Sequence, residues 1–362
     1  MTNKVVHLVY SFGCGGLEKV IANLINHSSN YDVEHVLISL TDDISMINQV
    51  NKKIKVLILD KRPGNDIKTH VKLFSLLKEL RPLVINTYNF GTIEYHLVAK
   101  MAGVPIRVHS DHGRGGDDPA GKNKSHNMFR KFIANFITEY IVVSYDLFQW
   151  ISNDIRVKRS KLSLIFNGVV VPHSEEFVGD KVKTFVTVGR LDKVKNQQLL
   201  INAFAQAVTT IPDFEQCTLN IVGDGPLLNE LQRQIESLKM QEHIHLLGFR
   251  DDITDILNNS DVFVLSSVYE AMPMTILEAM ANKTPVICTN VGGISQFITE
   301  EQTWFVESNN CDALTNKLNE VREDNESQLI KVNNAYQLVK EKYAMQQMVK
   351  AYMAKYSIKK KI

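Results

Sequence analysis

The sequence is poor in cysteine, tryptophan and proline, with four, two and nine of each in 362 residues. Cys14, Cys217, Cys288 and Cys311 are too far apart to form a metal-ligand pattern. They read as reduced thiols of a cytoplasmic protein. No run of 18 apolar residues occurs, so no membrane-spanning helix is expected. The apolar stretch within the opening MTNKVVHLVY is too short for a signal-peptide core. Low-complexity segments are absent. No Asp-x-Asp occurs anywhere, which leaves no paired-aspartate site for a divalent cation on a nucleotide. What remains is ordinary globular material: 44% hydrophobic and 22% charged residues, at a length that suggests two domains.

The net charge of +1 is unevenly spread. Residues 1–170 carry 22 Lys and Arg against 15 Asp and Glu, a net +7, and the remainder carries a net −6. Such asymmetry points the first half towards something anionic, unless it is chance variation between two domains.

Short apolar runs alternate with amphipathic stretches through residues 5–166, which predicts a parallel sheet with crossover helices. A turn at Asn167-Gly168 ends this half, and residues 169–183 read as a linker. The pattern restarts at Thr184 with a strand, the loop GRLDKVKN and a helix. Two successive α/β halves imply a cleft between them, a common place for a ligand. The domains are therefore expected at 1–170 and 171–342. Residues 343–362 return to complete the first, since Met345, Met348, Val349, Tyr352, Met353 and Tyr356 recur on one helical face.

The segment SSVYEAMPMTILEAMA, residues 266–281, is the most informative. Pro273 fits the first helical position, and the helix from Met274 to Ala281 carries Glu278 as its only charge. A helix this apolar is expected to be buried, and a buried carboxylate needs donors, which a ribose diol supplies. Glu270 precedes the helix, beside the free N–H groups of its first turn, where anions bind well. The bland alternative is a core helix whose glutamate pairs with a Lys or Arg.

Three further constellations carry potential chemistry. Arg190 and Lys195 stand before a helix start, where cations oppose the macrodipole and an intervening diphosphate would remove the conflict. Asn196 is placed to cap that helix. Gly13, Gly15 and Gly16 form a turn that lets backbone approach a phosphate or sugar, although Glu18 breaks any dinucleotide fingerprint. VHSDHGRGGDD, with His109, Asp111, His112 and Arg114, follows a strand end, where open α/β sheets carry functional side chains. The bland alternatives are a solvated surface loop for the first, a plain βα connection for the second and a metal-free polar loop with one satisfied histidine for the third.

Together these segments resemble the retaining GT-B glycosyltransferases of glycosyltransferase family 4. The resemblance runs in order through GGLEKVIANL, IVVSYDLFQWI, LIFNGVV, TVGRLDKVKNQQLLINAF, LNIVGDGPL, IHLLGFRDDI, DVFVLSSVYEAMPMTILEAMA and PVICTNVGG. VHSDHGRGGDDPAG is similar to an exopolysaccharide or capsule branch, while Ala271-Met272 replace the glycines usual after the first glutamate. The resemblance implies an α/β protein of two Rossmann-like domains facing a cleft. It implies a hexosyltransferase moving sugar from a nucleotide-sugar, a UDP-sugar in this reading, to a glycan or lipid-linked oligosaccharide in bacterial surface polysaccharide synthesis. By the same likeness Glu278 would hold the ribose and Glu270 the donor sugar. Arg190 and Lys195 would neutralise the diphosphate with no metal or other cofactor. Gly248 and Phe249 would border the base, and Met272, Pro273, Met274 and Thr275 would line the donor site. Gly15 and Gly16 would approach the phosphate, and His112, with His109 as the alternative, would reach the transferred sugar. The competing readings are a non-catalytic nucleotide-sugar-binding protein and a two-domain α/β oxidoreductase.

KNKSHNMFRKFIANFI, residues 122–137, sets Met128, Phe129, Phe132, Ile133, Phe136 and Ile137 at helical spacing, with Lys122, Lys124, Arg130 and Lys131 near its start. This reads as an interfacial helix for an anionic inner leaflet, or as a core helix with a basic end. No nucleic-acid partner is expected.

Overall fold

The computed structural model describes residues 3–13, 15–64, 66–115, 118, 121–172 and 182–361. Contacts divide the chain into two compact units, Met1–Gly168 with Met345–Ile362, and Val169–Ala344. Of the stretch expected as a linker, residues 173–181 lie outside the described residues.

The first unit contains strands β1 (Asn3–Val9), β2 (Val33–Ser39), β3 (Lys55–Ile58), β4 (Val84–Tyr88), β5 (Ile106–Asp111), β6 (Glu139–Val142) and β7 (Leu162–Leu164). They lie in the order β3-β2-β1-β4-β5-β6-β7, all parallel. Parallel neighbours cannot be joined by tight hairpins, so helices make the crossovers. These are α1 (Gly16–Asn26), α2 (Ile67–Leu80), α3 (Tyr95–Met101), α4 (Lys124–Ile133) and α5 (Tyr145–Asn153). Helices on both faces explain why β4 is buried at every position. Local signals set the helix ends. The Asp66 carboxylate accepts the Lys68 N–H to start α2, and the Ser144 hydroxyl accepts the Leu147 N–H to start α5. Arg81 closes α2 in the left-handed region (φ 46°) immediately before Pro82.

The second unit repeats the plan with β8 (Thr184–Val188), β9 (Thr218–Val222), β10 (Ile244–Gly248), β11 (Val262–Leu265), β12 (Val286–Thr289) and β13 (Trp304–Val306). Their order is β10-β9-β8-β11-β12-β13, again parallel. Its helices are α6 (Gln197–Thr210), α7 (Leu228–Ser237), α8 (Ile253–Asn258), α9 (Met274–Ala281), α10 (Cys311–Glu323) and α11 (Asn325–Lys342). Phe185, Phe204 and Phe214 pack with ring centroids 5.4–5.7 Å apart at the centre of its core. In both units the first strand sits mid-sheet and the order reverses beside it. Such sheets bind ligands beyond the carboxyl ends of their strands.

Helix α12 (Met345–Lys355) belongs to the first unit. Its expected apolar face is buried, and the Tyr356 hydroxyl just beyond it accepts a hydrogen bond from Asn86 Nδ2 on β4 at 2.7 Å.

Three local expectations need correction. Pro273 stands at the N-cap of α9 rather than inside its first turn, with ψ at 125°. Asn196 is the N-cap residue of α6 but adopts a left-handed conformation (φ 52°) and makes no capping bond; its amide donates instead to Asn309 Oδ1 at 3.0 Å. The basic aromatic helix is shorter than its pattern, and Arg130 is not one of its surface cations. Arg130 is buried and paired with Asp111, because only one edge of α4 faces the sheet and that edge carries Arg130 and Ile133. Ile137 is also buried, while Met128 and Phe132 are exposed.

Candidate active site

At the carboxyl ends of β8 to β12 the loops of the second unit meet at backbone distance. The Gly223 N–H donates to the Gly248 carbonyl at 2.8 Å. Gly223 has φ +142°, and a Cβ there would stand 2.9 Å from the carbonyl carbon of Gly189. Gly292, with φ +56°, would place a Cβ 2.9 Å from the carbonyl carbon of Glu270, whose oxygen accepts the Gly293 N–H at 2.8 Å. Only glycine permits both the conformation and the approach.

The loop from β8 to α6 is pinned within this frame. Asp192 Oδ1 accepts the N–H groups of Val194 and Lys195 at 3.0 and 3.1 Å. Ser266 Oγ, at the end of β11, lies 3.0 Å from the carbonyl oxygens of both Lys195 and Asn196. The Lys195 stem passes along Gly189, and its Nζ reaches Glu270 Oε1 at 2.5 Å. Ser267 Oγ donates to the same oxygen at 2.7 Å. Arg190 stays 65% exposed, its Nε 3.9 Å from Asp192 Oδ2.

Helix α9 begins beside this pair. No side chain caps it, so its first N–H groups keep their affinity for an anion or a ligand oxygen. Thr275 Oγ1 is shielded from solvent and has no hydrogen-bond partner among the described residues. Glu278, one turn further on, is buried. A cation, two carboxylates and a hydroxyl are therefore brought to one set of strand ends, a donor set suited to a diphosphate and to sugar hydroxyls. Among the described residues no three His, Cys, Asp or Glu side chains converge as a metal site.

The first unit presents a different arrangement. His112 follows β5, its N–H donating to Asn89 Oδ1 at 2.8 Å and its ring 6.1 Å from that of Tyr88. Its Nε2 is shielded and has no partner among the described residues. Burial, partly opposed by Asp111, lowers its pKa to about 4, so the imidazole is neutral at pH 7. His109 is fully buried, with Nδ1 2.7 Å from Thr87 Oγ1 and Nε2 3.3 Å from Asp111 Oδ1. It belongs to the core, and of the two histidines only His112 is partly exposed. Burial raises the Asp111 carboxyl pKa, but Arg130 and then His109 outweigh it and hold the group below the usual carboxylate range.

At the glycine turn, Gly15 is the extended N-cap of α1, and the carboxylate of Glu18 folds over it. The Asp43 carboxylate lies against Gly13. The Glu18 and Asp43 carboxylates thus line the turn expected to approach the phosphate through Gly15 and Gly16.

Two family descriptions match the chain: Glycosyltransferase Family 4 over residues 14–171 and Glycosyl transferases group 1 over residues 173–338. An Escherichia coli protein, UDP-Gal:alpha-D-GlcNAc-diphosphoundecaprenol alpha-1,3-galactosyltransferase, is 32% identical over 280 residues, spanning 72% of this chain and 71% of that one. The chain belongs to the group 1 and family 4 glycosyltransferases. A Campylobacter jejuni N-acetylgalactosamine-N,N'-diacetylbacillosaminyl-diphospho-undecaprenol 4-alpha-N-acetylgalactosaminyltransferase is 26% identical across 91% of each chain. In fold, the glycosyltransferase is similar to Anabaena Alr3699/HepE in complex with UDP, with a TM-score of 0.80 at 18% identity, covering 98% of this chain and 99% of that one. Its two Rossmann-like units are thus those of the GT-B class, and the oxidoreductase alternative falls away.

Within the glycosyltransferase, Lys195 and Glu270 are in contact, with Met272, Pro273 and Met274 buried alongside and Thr275 and Glu278 on the adjoining helix. Gly248 joins this frame through Gly223, which leaves Phe249 52% exposed at its edge. His112, Gly15 and Gly16 stand in the other unit. Sequence reasoning missed Ser266 and Ser267, which hold the Lys195 loop and Glu270, and Gly223 and Gly292, which admit the close approaches. A signal was present for the glycines, since each follows a strand by one to three residues.

Proposed function

We propose that this glycosyltransferase moves a hexose from a UDP-sugar to a polyprenyl-diphosphate-linked glycan, with retention of configuration and without a metal. One observation carries the reading: Lys195 and Glu270, 75 positions apart, meet at the uncapped start of α9, one turn before buried Glu278. In this reading Arg190, Lys195 and the α9 N–H groups take the diphosphate, Glu278 the ribose and Glu270 the hexose hydroxyls. Gly248 and Phe249 border the base, and Met272, Pro273, Met274 and Thr275 line the site. As the bond from the sugar C1 to phosphate oxygen breaks, its electron pair passes to the diphosphate, where the two cations stabilise the charge. The acceptor hydroxyl bonds to C1 on the face the phosphate leaves, and its proton goes to the departing phosphate oxygen. No pair of flanking carboxylates of the kind a retaining glycosidase requires is called upon. His112, neutral at pH 7, would accept a hydrogen bond from the transferred sugar.

Both named relatives have diphosphoundecaprenol-linked acceptors in their names, which supports a lipid-linked acceptor. Such an acceptor sits at a membrane, and no described helix is long and apolar enough to cross one. We therefore assign the first unit a peripheral contact with an anionic inner leaflet, through exposed Lys122, Lys124 and Lys131 beside Met128, Phe129 and Phe132.

The test is incubation with UDP-hexoses and GDP-hexoses in EDTA, with and without a polyprenyl-diphosphate-linked disaccharide, followed by mass spectrometry. Transfer of one hexose from a UDP-sugar is expected. Activity lost in EDTA and restored by Mg²⁺ would overturn the metal-free route, and transfer from GDP-sugars alone would overturn the donor.

A further inference from the structure

The contact between Lys195 and Glu270 has a cost as well as a use. A lysine just before a helix start is unfavourable unless an anion stands beside it. In this structure the anion is the chain's own carboxylate. Lys195 Nζ and Ser267 Oγ both fall on Glu270 Oε1, at 2.5 and 2.7 Å. Ser267 is itself fully buried, its carbonyl accepting the Thr289 hydroxyl at 2.6 Å, so its position is fixed by β12. Glu270 is likewise held at its backbone by Gly293. Of the three groups only the lysine ammonium is on a long flexible stem.

We propose that Lys195–Glu270 is an internal latch. The Glu270 carboxylate occupies the place of the donor's diphosphate on Lys195, and the incoming diphosphate displaces it. Ser267 is the positioning residue that keeps the released carboxylate aimed at the transferred sugar. This rests on the donor site proposed above and adds a competition to it. Every donor that binds must first win Lys195 from Glu270, which lowers apparent affinity by the fraction of protein with the latch closed. The exchange is one anion for another on the same ammonium. A ligand lacking the diphosphate, such as a free nucleoside or hexose, leaves the latch shut.

Calorimetric titration of the full chain with UDP and with GDP tests this, the tighter ligand being carried to the variants. Glu270→Gln removes the competing charge and is expected to bind the nucleoside diphosphate about tenfold more tightly than the parent, while turning over more slowly. Glu270→Asp, one methylene shorter, is expected to shift affinity the same way and guards against misfolding of the first variant. Lys195→Ala is expected to weaken binding. Ser267→Ala is expected to leave nucleotide affinity and the donor KM near the parent's while kcat falls about tenfold, a split that general loosening of the site would not produce. If the parent binds and Lys195→Ala weakens it, but both Glu270 variants bind no more tightly, the latch is wrong and the donor site stands. If the parent binds neither nucleotide, both fall. Unchanged kcat in Ser267→Ala would remove Ser267 from its role.

Discussion

The two units share a strand order and differ in what they place inside it. The first buries titratable groups within the sheet itself. His7 on β1 and His35 on β2 are 2.9 Å apart, and His7 also meets the Tyr88 hydroxyl at 2.7 Å. Asp111 on β5 accepts from Arg130 and Tyr140, each at 2.5 Å. The second fills the same layer with Phe185, Val262, Phe263, Val264 and Ile287, and its Lys195 and Glu270 meet beyond the strand ends. Polar groups inside a sheet need matched partners to be tolerated, so they specify one arrangement at a price in robustness. Polar groups at strand ends keep bonding capacity for a ligand. The same fold thus carries a buried polar network in one unit and, in the reading proposed above, the donor site in the other.

The sharpest way to break this contrast is the buried pair. Arg130→Met leaves Asp111 buried with its charge uncompensated, and is expected to destabilise the first unit by about 3–5 kcal/mol. Scanning calorimetry should show one early transition and one unmoved. Equal movement of both would mean that the units do not unfold separately.

The converse substitutions lie in the second unit. Arg190→Ala and Lys195→Ala are each expected to reduce turnover by about 10²–10³ while leaving both thermal transitions nearly in place. Near-parental turnover in both variants would move the diphosphate elsewhere.

Acid should separate the units next. Burial, with Lys52 adding to it, lowers the His35 pKa from 6.5 to about 3. Burial with His35 lowers His7, and burial with His109 and Arg107 lowers His96. Below pH 6.5 the unfolded chain takes up protons that the folded unit refuses. The stability these neutral imidazoles contribute is therefore complete above pH 6.5 and is lost as pH falls towards about 3. Each pH unit costs about 1.4 kcal/mol per fully titrating group. Asp111, with a depressed folded pKa, adds a loss in the same direction at still lower pH. The first transition should fall between pH 7 and pH 5 well before the second, and parallel curves would contradict the contrast.

The smallest effect expected is at the membrane. Changing Lys122, Lys124 and Lys131 together to Gln should weaken flotation with anionic liposomes by about 1 kcal/mol per residue. Identical flotation of variant and parent would leave the first unit without a lipid contact.

Legibility followed the same division. The span of helix α9 was readable, although Pro273 precedes it as the N-cap, because one charge in an unbroken apolar run can form little else. The strand β13 was missed, being only Trp304–Val306 within a polar context. So was α11, whose 18 residues bury only Gln328, Val332, Ala335 and Val339, too sparse a stripe for periodicity to mark it. Glu270, Glu278 and Lys195 stood out because charge amid apolar or loop sequence is conspicuous. Ser267 did not, since a serine's role depends on what folds against it. Arg130 was misread for the matching reason: its sequence neighbours are basic and aromatic, and only the partner strand reveals Asp111.

The placement of α12 bears on the order in which the protein is made. The chain leaves the first unit at Gly168, builds all of the second, and returns at Met345. On a ribosome the second unit is therefore complete while the first still lacks Tyr356, the partner of Asn86. The half read first is finished last, and during synthesis its half-satisfied polar interior must wait about 176 residues, or roughly 10–35 s at ordinary elongation rates, for the helix that closes it.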